Sequence, residues 1–254
     1  MSVSNRVGLI TGGGSGLGRE IALLVAADGG KVLVADRDLA GAEETARLIV
    51  EAGGEARAVS MDVLDEASVV AAFESVDAWG DLGWAVNCAG IHPDDSDVAD
   101  LDMAQFDRIM GVNIRGVVIS LREEMRRFRE HGAGGAIVNI GSTRSLRAMP
   151  GSVAYVASKH AVIGATDTAA LEGGAIGVRV NCVCPGVMAT PMVAARRAES
   201  SESEASYVDR VGGVIPRIGE PREVAEAARW LLSGSASYVT GHTLVADGGY
   251  MARP

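Results

Sequence analysis

The chain has no stretch approaching the roughly 20 consecutive apolar residues that span a bilayer. Its first residues, Met-Ser-Val-Ser-Asn-Arg, hold no apolar leader core. A protein of the cytoplasm, not of the membrane, is therefore expected. Basic charge is in deficit too, with 23 Lys and Arg against 33 Asp and Glu, a net charge of −10. The densest basic segment, Arg122 to Arg129, is interleaved with Glu123 and Glu124 and reads as a solvated helix face. That is a poor footprint for nucleic acid or an anionic membrane. Cysteine is sparse, at 88, 182 and 184, an odd number without metal-ligand spacing, which reads as reduced, buried thiols. Cys182 and Cys184, two apart on an expected strand, share a face. The four histidines (92, 131, 160 and 242) are scattered, so no metal site is expected.

No linker with a change of composition on both sides divides the chain, so residues 1–254 read as one domain. Apolar content of 48% suffices for a large core. Strand-like runs near 6–11, 31–36, 55–60, 83–87, 135–141, 177–184 and 243–246 alternate with helical runs. The helices are expected near 16–29, 38–53, 66–79, 103–130, 152–173 and 221–233. This alternation predicts an α/β fold, a doubly wound Rossmann sheet of about seven parallel strands with helices on both faces. Residues 187–219 break the pattern. They are polar, lack a strong apolar face, and read as a long loop that covers a binding site or simply lies on the surface.

The first strand ends in Thr11-Gly12-Gly13-Gly14-Ser15-Gly16-Leu17-Gly18, and an apolar-periodic helix follows. Glycine permits positive φ and close approach of backbone N–H groups to a ligand. The helix start adds unpaired donors and a positive dipole end, which suits a pyrophosphate. The spacing is G-x-x-x-G-x-G, not the G-x-G-x-x-G of the standard dinucleotide fingerprint. Asp36, 18 residues after Gly18, ends the second strand where an acidic residue accepts hydrogen bonds from a ribose. A carboxylate there repels a 2′-phosphate and favours NAD. Arg37 offers a phosphate partner instead, and Asp36 as a helix N-cap fits either cofactor. Tyr155 and Lys159 form an i, i+4 pair on one helix face, with Ser152 as the expected N-cap. An ammonium beside a phenol favours the phenolate and suits it to general base work, although helix surfaces also carry such pairs by chance.

Together these motifs resemble the short-chain dehydrogenase/reductase family in its compact single-domain form, from about Arg6 to Gly249. Gly12, Ser15, Gly16, Leu17 and Gly18 match its cofactor loop. Asp62-Val63 matches the adenine-contacting pair, and Asn87-Cys88-Ala89-Gly90 matches Asn-Asn-Ala-Gly, with Cys88 a departure that puts local hydrogen bonding in doubt. Asn113, Ser142, Tyr155 and Lys159 match the catalytic positions. Pro185, Gly186, Met188 and Thr190 match the nicotinamide-side loop, and Asp247-Gly248-Gly249 matches the turn after the last strand.

The resemblance implies that Tyr155 exchanges a proton with the substrate oxygen while Lys159 holds the nicotinamide ribose. Ser142 would hydrogen-bond the substrate oxygen, Asn113 would support a relay water, and Thr190 would fix the carboxamide. It implies an NAD-dependent enzyme acting on a small or medium secondary alcohol or ketone, assembled as a homotetramer. An NADPH-dependent reductase of 3-oxoacyl thioesters is the second enzymatic reading. A nucleotide-sensing regulator without catalysis is the reading from another class. Expected pocket contributors are His92, Thr143, Arg144, Met149, Val187, Met188 and the 187–219 segment, while His160 should point to another helix face.

Overall fold

A computed structural model of the chain describes residues 6–92, 94–198 and 202–253. Met1–Asn5, on which the absence of a leader was read, and residues 199–201 of the long segment lie outside these.

Seven strands form one sheet: β1 (Val7–Thr11), β2 (Lys31–Asp36), β3 (Glu55–Ser60), β4 (Leu82–Asn87), β5 (Gly135–Ile140), β6 (Val178–Pro185) and β7 (Thr243–Ala246). Their order is β3-β2-β1-β4-β5-β6-β7, and every pairing is parallel. β1, β4 and β5 are buried along their whole length. They therefore read as continuous apolar runs, as strands covered on both faces do. The order of connection reverses between β1 and β4, which opens a crevice beyond the strands' carboxyl ends.

The helices are α1 (Gly16–Ala27), α2 (Leu39–Glu51), α3 (Glu66–Asp77), α4 (Met103–Met110), α5 (Gly116–His131), α6 (Val153–Gly174), α7 (Pro191–Ala198), α8 (Glu204–Val211) and α9 (Pro221–Leu232). Ile21 and Val25 of α1, Ile49 of α2 and Leu231 of α9 build the core on one face of the sheet. Phe73 of α3, Phe128 of α5 and Val162 of α6 build it on the other. Among the described residues, no helix is long and apolar enough to cross a membrane.

Two expectations change. The single helix over 103–130 is α4 and α5 joined by a π turn at Gly111–Arg115, which carries Asn113. The extra residue shifts the apolar phase between α4 and α5, but the eight residues of α4, with only Ile109 buried, are too few to show it. The 187–219 segment is not a bare loop, since α7 and α8 occupy much of it. Ser203 is the N-cap of α8, its hydroxyl oxygen accepting the Ser206 N–H at 3.3 Å.

Candidate active site

At the β1–α1 turn, Gly12 has φ +68° and Gly16 has φ +52°. A Cβ on Gly18 would stand 2.1 Å from the Gly12 carbonyl oxygen, and one on Gly12 would stand 2.8 Å from the Ala89 Cα. Glycine is therefore required for backbone to meet backbone here. Ser15 takes the N-cap position of α1, but its side chain makes no capping bond. The first N–H groups of α1 keep their capacity for an outside acceptor, as a pyrophosphate cradle requires. Asp36 lies beside the same turn. Its Oδ2 accepts the Gly14 N–H at 2.9 Å and its Oδ1 accepts the Asp38 N–H at 3.0 Å. The N-cap of α2 is Asp38, so the capping explanation of Asp36 does not apply. Asp62 closes its own turn, accepting the Leu64 N–H at 2.9 Å.

The end of β4 is held by Thr11, whose Oγ1 accepts from both the Cys88 and the Ala89 N–H at 3.1 Å. Cys88 in place of asparagine thus leaves the backbone anchored. Burial pushes the Cys88 thiol up to about 12. The Asn87 side chain turns away from the cleft. Its Nδ2 donates to Asn139 Oδ1 at 2.9 Å and to Glu124 Oε2 at 3.2 Å, and Asn139 donates on to Thr166 at 2.9 Å. Asn87 alone of the expected cofactor-binding residues does not line the cleft, because a buried polar network engages its amide. Desolvation pushes the Glu124 carboxyl at its centre up to about 8, opposed by the Asn87 hydrogen bond.

Beyond β5, Ser142 opens a tight turn at Thr143–Ser145. Its N–H donates to Ser145 Oγ, and its own Oγ accepts the Arg144 N–H, both at 3.1 Å. Accepting that bond leaves the hydroxyl proton free to donate elsewhere. Behind the turn, the Cys182 and Cys184 sulfurs lie 3.9 Å apart. All three cysteines are free thiols. The hydrogen bond between Cys182 and Cys184 pulls the Cys184 thiol down to about 7 and pushes the Cys182 thiol up.

Tyr155 and Lys159 stand on the first turns of α6. Lys159 Nζ donates to the Ile140 carbonyl at 2.9 Å and lies 5.8 Å from the Tyr155 ring centroid. The His92 ring stacks on Tyr155 at 6.1 Å between centroids. Asn113 reaches across from the π turn. Its Oδ1 accepts the Ile91 N–H at 2.8 Å, and its Nδ2 donates to the Ile91 carbonyl at 3.2 Å and to Ser158 at 3.3 Å. Fully buried, it is absent from the cleft lining and fixes the loop after β4. A Cβ on Gly90 would lie 3.4 Å from Asn113 Oδ1 and 3.7 Å from Lys159 Nζ, so this loop runs against both.

Asp94 is the residue that motif reading missed. The helix start expected to rest on Ser152 rests on Asp94 instead. Its Oδ2 accepts the Ala154 N–H at 2.9 Å and its Oδ1 accepts the Tyr155 N–H at 3.1 Å. Ser152 holds the N-cap position without a side-chain cap and donates to the Asp94 carbonyl at 3.3 Å. In sequence Asp94 sits in the acidic run Asp94-Asp95-Ser96-Asp97, which looks like a solvated loop. Nothing local marks its burial.

The glycine turn, Asp36, Arg37, Asp62, Val63, Ala89, Gly90, Ser142, Tyr155, Lys159, Pro185, Gly186, Met188 and Thr190 all line one cleft of about 520 Å³, within the range of small-molecule sites. His92, Thr143, Arg144, Met149 and Val187 line it as well. α7 and α8 contribute Met192, Val193, Tyr207 and Arg210 to its wall. His160 is on another face, bonded to the Val156 carbonyl at 2.8 Å.

Residues 12–251 match the family model described as enoyl-(acyl carrier protein) reductase. The chain is 38% identical to cyclohexanol dehydrogenase of an Acinetobacter species, over 98% of this chain and 96% of that one. Levodione reductase, a solved structure 33% identical, superposes with a TM-score of 0.93 over 99% of both chains. A 3-ketoacyl-(acyl-carrier-protein) reductase of Brucella melitensis, solved with NADH, is 36% identical and has a TM-score of 0.88 over 98% of this chain and 99% of that one. With the parallel sheet, the glycine cradle and the Tyr155–Lys159 pair facing one crevice, these likenesses show that the chain belongs to the short-chain dehydrogenase/reductase family of nicotinamide-dependent oxidoreductases.

Proposed function

We propose that the protein is an NAD-dependent dehydrogenase of secondary alcohols, or the corresponding ketone reductase, with Tyr155 as its general acid and base. The observation that carries this reading is that one cleft is lined by the glycine turn and Asp36 at one end and by Ser142, Tyr155 and Lys159 at the other. The nicotinamide ring, when bound, accepts hydride from the carbinol carbon or returns it to a ketone.

Tyr155 takes the hydroxyl proton in the oxidative direction. Lys159 supplies positive charge beside the Tyr155 ring, held in place by the Ile140 carbonyl. Ser142 donates its hydroxyl proton to the substrate oxygen and steadies charge that develops there. Asn113 positions Ile91 and Ser158 around this centre. Gly12, Ser15, Gly16, Leu17 and Gly18 would hold the pyrophosphate, and Asp62 and Val63 would flank the adenine. Pro185, Gly186, Met188 and Thr190 would hold the nicotinamide end. Residues 187–219, with α7 and α8, would cover the substrate.

Asp36 supports NAD over NADP, because its carboxylate is fixed beside the turn by two backbone N–H groups and would meet a 2′-phosphate charge to charge. Exposed Val118 on α5 and Leu171 on α6 support a homo-oligomer, a tetramer by family likeness. Three free thiols fit a reducing, cytoplasmic setting.

The test is Tyr155→Phe. It should abolish NAD-coupled oxidation of secondary alcohols while leaving NADH binding intact. Retained turnover refutes the assignment of the base. A second reading is NADPH-dependent reduction of 3-oxoacyl thioesters; the 36% identity to the Brucella enzyme favours its substrate class but not its cofactor, since that enzyme was solved with NADH. Comparing NADH with NADPH affinity, and an acyl thioester with a simple ketone, separates the two.

A further inference from the structure

The charges lining the cleft are not evenly placed. Its carboxylates among the described residues, Asp36, Asp38 and Asp62, all follow β2 and β3, at the nucleotide end. The opposite end, beyond β5 and β6, presents Arg144, Lys159 and Arg210 with no carboxylate in the lining. In a chain of net charge −10 this is a local reversal of sign. Lys159 is engaged by Ile140, and Arg210 is paired with Glu202 at 2.7 Å. Arg144 is different. Its half-buried guanidinium donates to the Tyr250 hydroxyl at 3.2 Å and lies 5.4 Å from the centroid of the same ring. No ion pair holds it among the described residues.

Arg147 stands 5.6 Å from the centroid of the same Tyr250 ring, so two like charges lie near one aromatic side chain. Their repulsion falls when an anion arrives between or beside them. The turn that carries Arg144 is the turn that carries Ser142, and its N–H bonds the Ser142 hydroxyl. Their Cα atoms are at most about 7 Å apart and both residues line the cleft, so an anion on Arg144 would share it with a carbonyl on Ser142. Met149, Val187 and Met192 also line the cleft and lower its polarity, which strengthens such a contact.

Resting on the dehydrogenase reading, we propose that Arg144, steadied by Tyr250, is a specificity residue that binds a carboxylate of the substrate, a hydroxy or oxo acid and not a neutral alcohol. A planar carboxylate matches the fork of one guanidinium, and the other cations of this end, Lys159 and Arg210, are already engaged.

The test needs no knowledge of the natural substrate. Benzoate and benzamide, alike in shape and different in charge, are titrated calorimetrically into the NADH-loaded protein at low chloride. Benzoate should bind about tenfold more tightly, 1.4 kcal/mol, and added salt should erode that advantage. Arg144→Gln should bring benzoate down to the benzamide level, and Arg144→Lys should restore part of the preference. Equal affinities in the parent, including no measurable binding of either, overturn the proposal, as does a benzoate preference that survives Arg144→Gln. The salt series on the parent protein decides the matter even if a variant fails to fold. Turnover that depends on Tyr155 alongside absent benzoate preference sinks the carboxylate site alone. Benzoate preference without turnover of any hydroxy acid or alcohol sinks the dehydrogenase reading alone.

Discussion

Replacing Asp94 with alanine removes the carboxylate that starts the Tyr155 helix. Two backbone N–H groups, of Ala154 and Tyr155, lose acceptors at 2.9 and 3.1 Å in a site where Asp94 is fully buried. A lost helix cap costs up to about 2 kcal/mol, and bonds to a charged group approach 3 kcal/mol when buried, so a loss of about 2–3 kcal/mol is expected. For a domain of this size that corresponds to a melting temperature lower by roughly 4–12 °C. Asp94→Asn keeps one oxygen acceptor and should lose about half as much. Because Tyr155 is the third residue of α6, fraying displaces the phenol, and kcat should fall on the order of tenfold with a smaller change in KM. Differential scanning calorimetry and steady-state kinetics on the parent and both variants read these effects. An Asp94→Ala protein that melts within about 1 °C of the parent, the range of a neutral surface change, refutes the capping argument.

Glu124→Gln tests the buried network. The folded carboxyl holds its proton until about pH 8, whereas the ordinary value is 4.5. The raised value lies on the folded side, so the stability it brings is full below pH 4.5 and is lost as pH rises through 8. The parent should therefore melt progressively lower across that window. The glutamine variant should show a flatter profile and exceed the parent above pH 8, and an unchanged slope in thermal melts across pH refutes this. Gly18→Ala forces a methyl to 2.1 Å from the Gly12 carbonyl oxygen. It should abolish NADH binding in a fluorescence titration, and near-parent affinity would show that the cradle is looser than described.

The glycine turn, Asp36 and the Tyr155–Lys159 pair rest on local spacings legible in the sequence, and Ser142 on the family resemblance. They line one crevice because parallel strands place their carboxyl ends together. The strand positions were legible for a similar reason, since fully covered strands are continuous apolar runs. What stayed hidden depends on contacts between distant segments. Asp94 caps a helix some sixty residues away in sequence, and its neighbours advertise solvent. Asn87 matches a cofactor motif, yet Glu124 and Asn139 claim its amide, and nothing near residue 87 announces them. The helices of 187–219 were missed because a short wall helix with one side on a cleft has no deep apolar stripe.

The π turn at Gly111–Arg115 makes this stretch intolerant of length change. Each residue of an α-helix turns the chain by about 100°, so deleting one residue there would regularise the spiral and swing all of α5 by that angle. Phe128 and Met125 would leave the sheet, and the carboxyl of Glu124 would part from Asn87. A substitution at exposed Arg115 can be absorbed, whereas one at Asn113 would free the Ile91 backbone. Insertions and deletions cannot be absorbed, so sequence variation here should occur by replacement at fixed length.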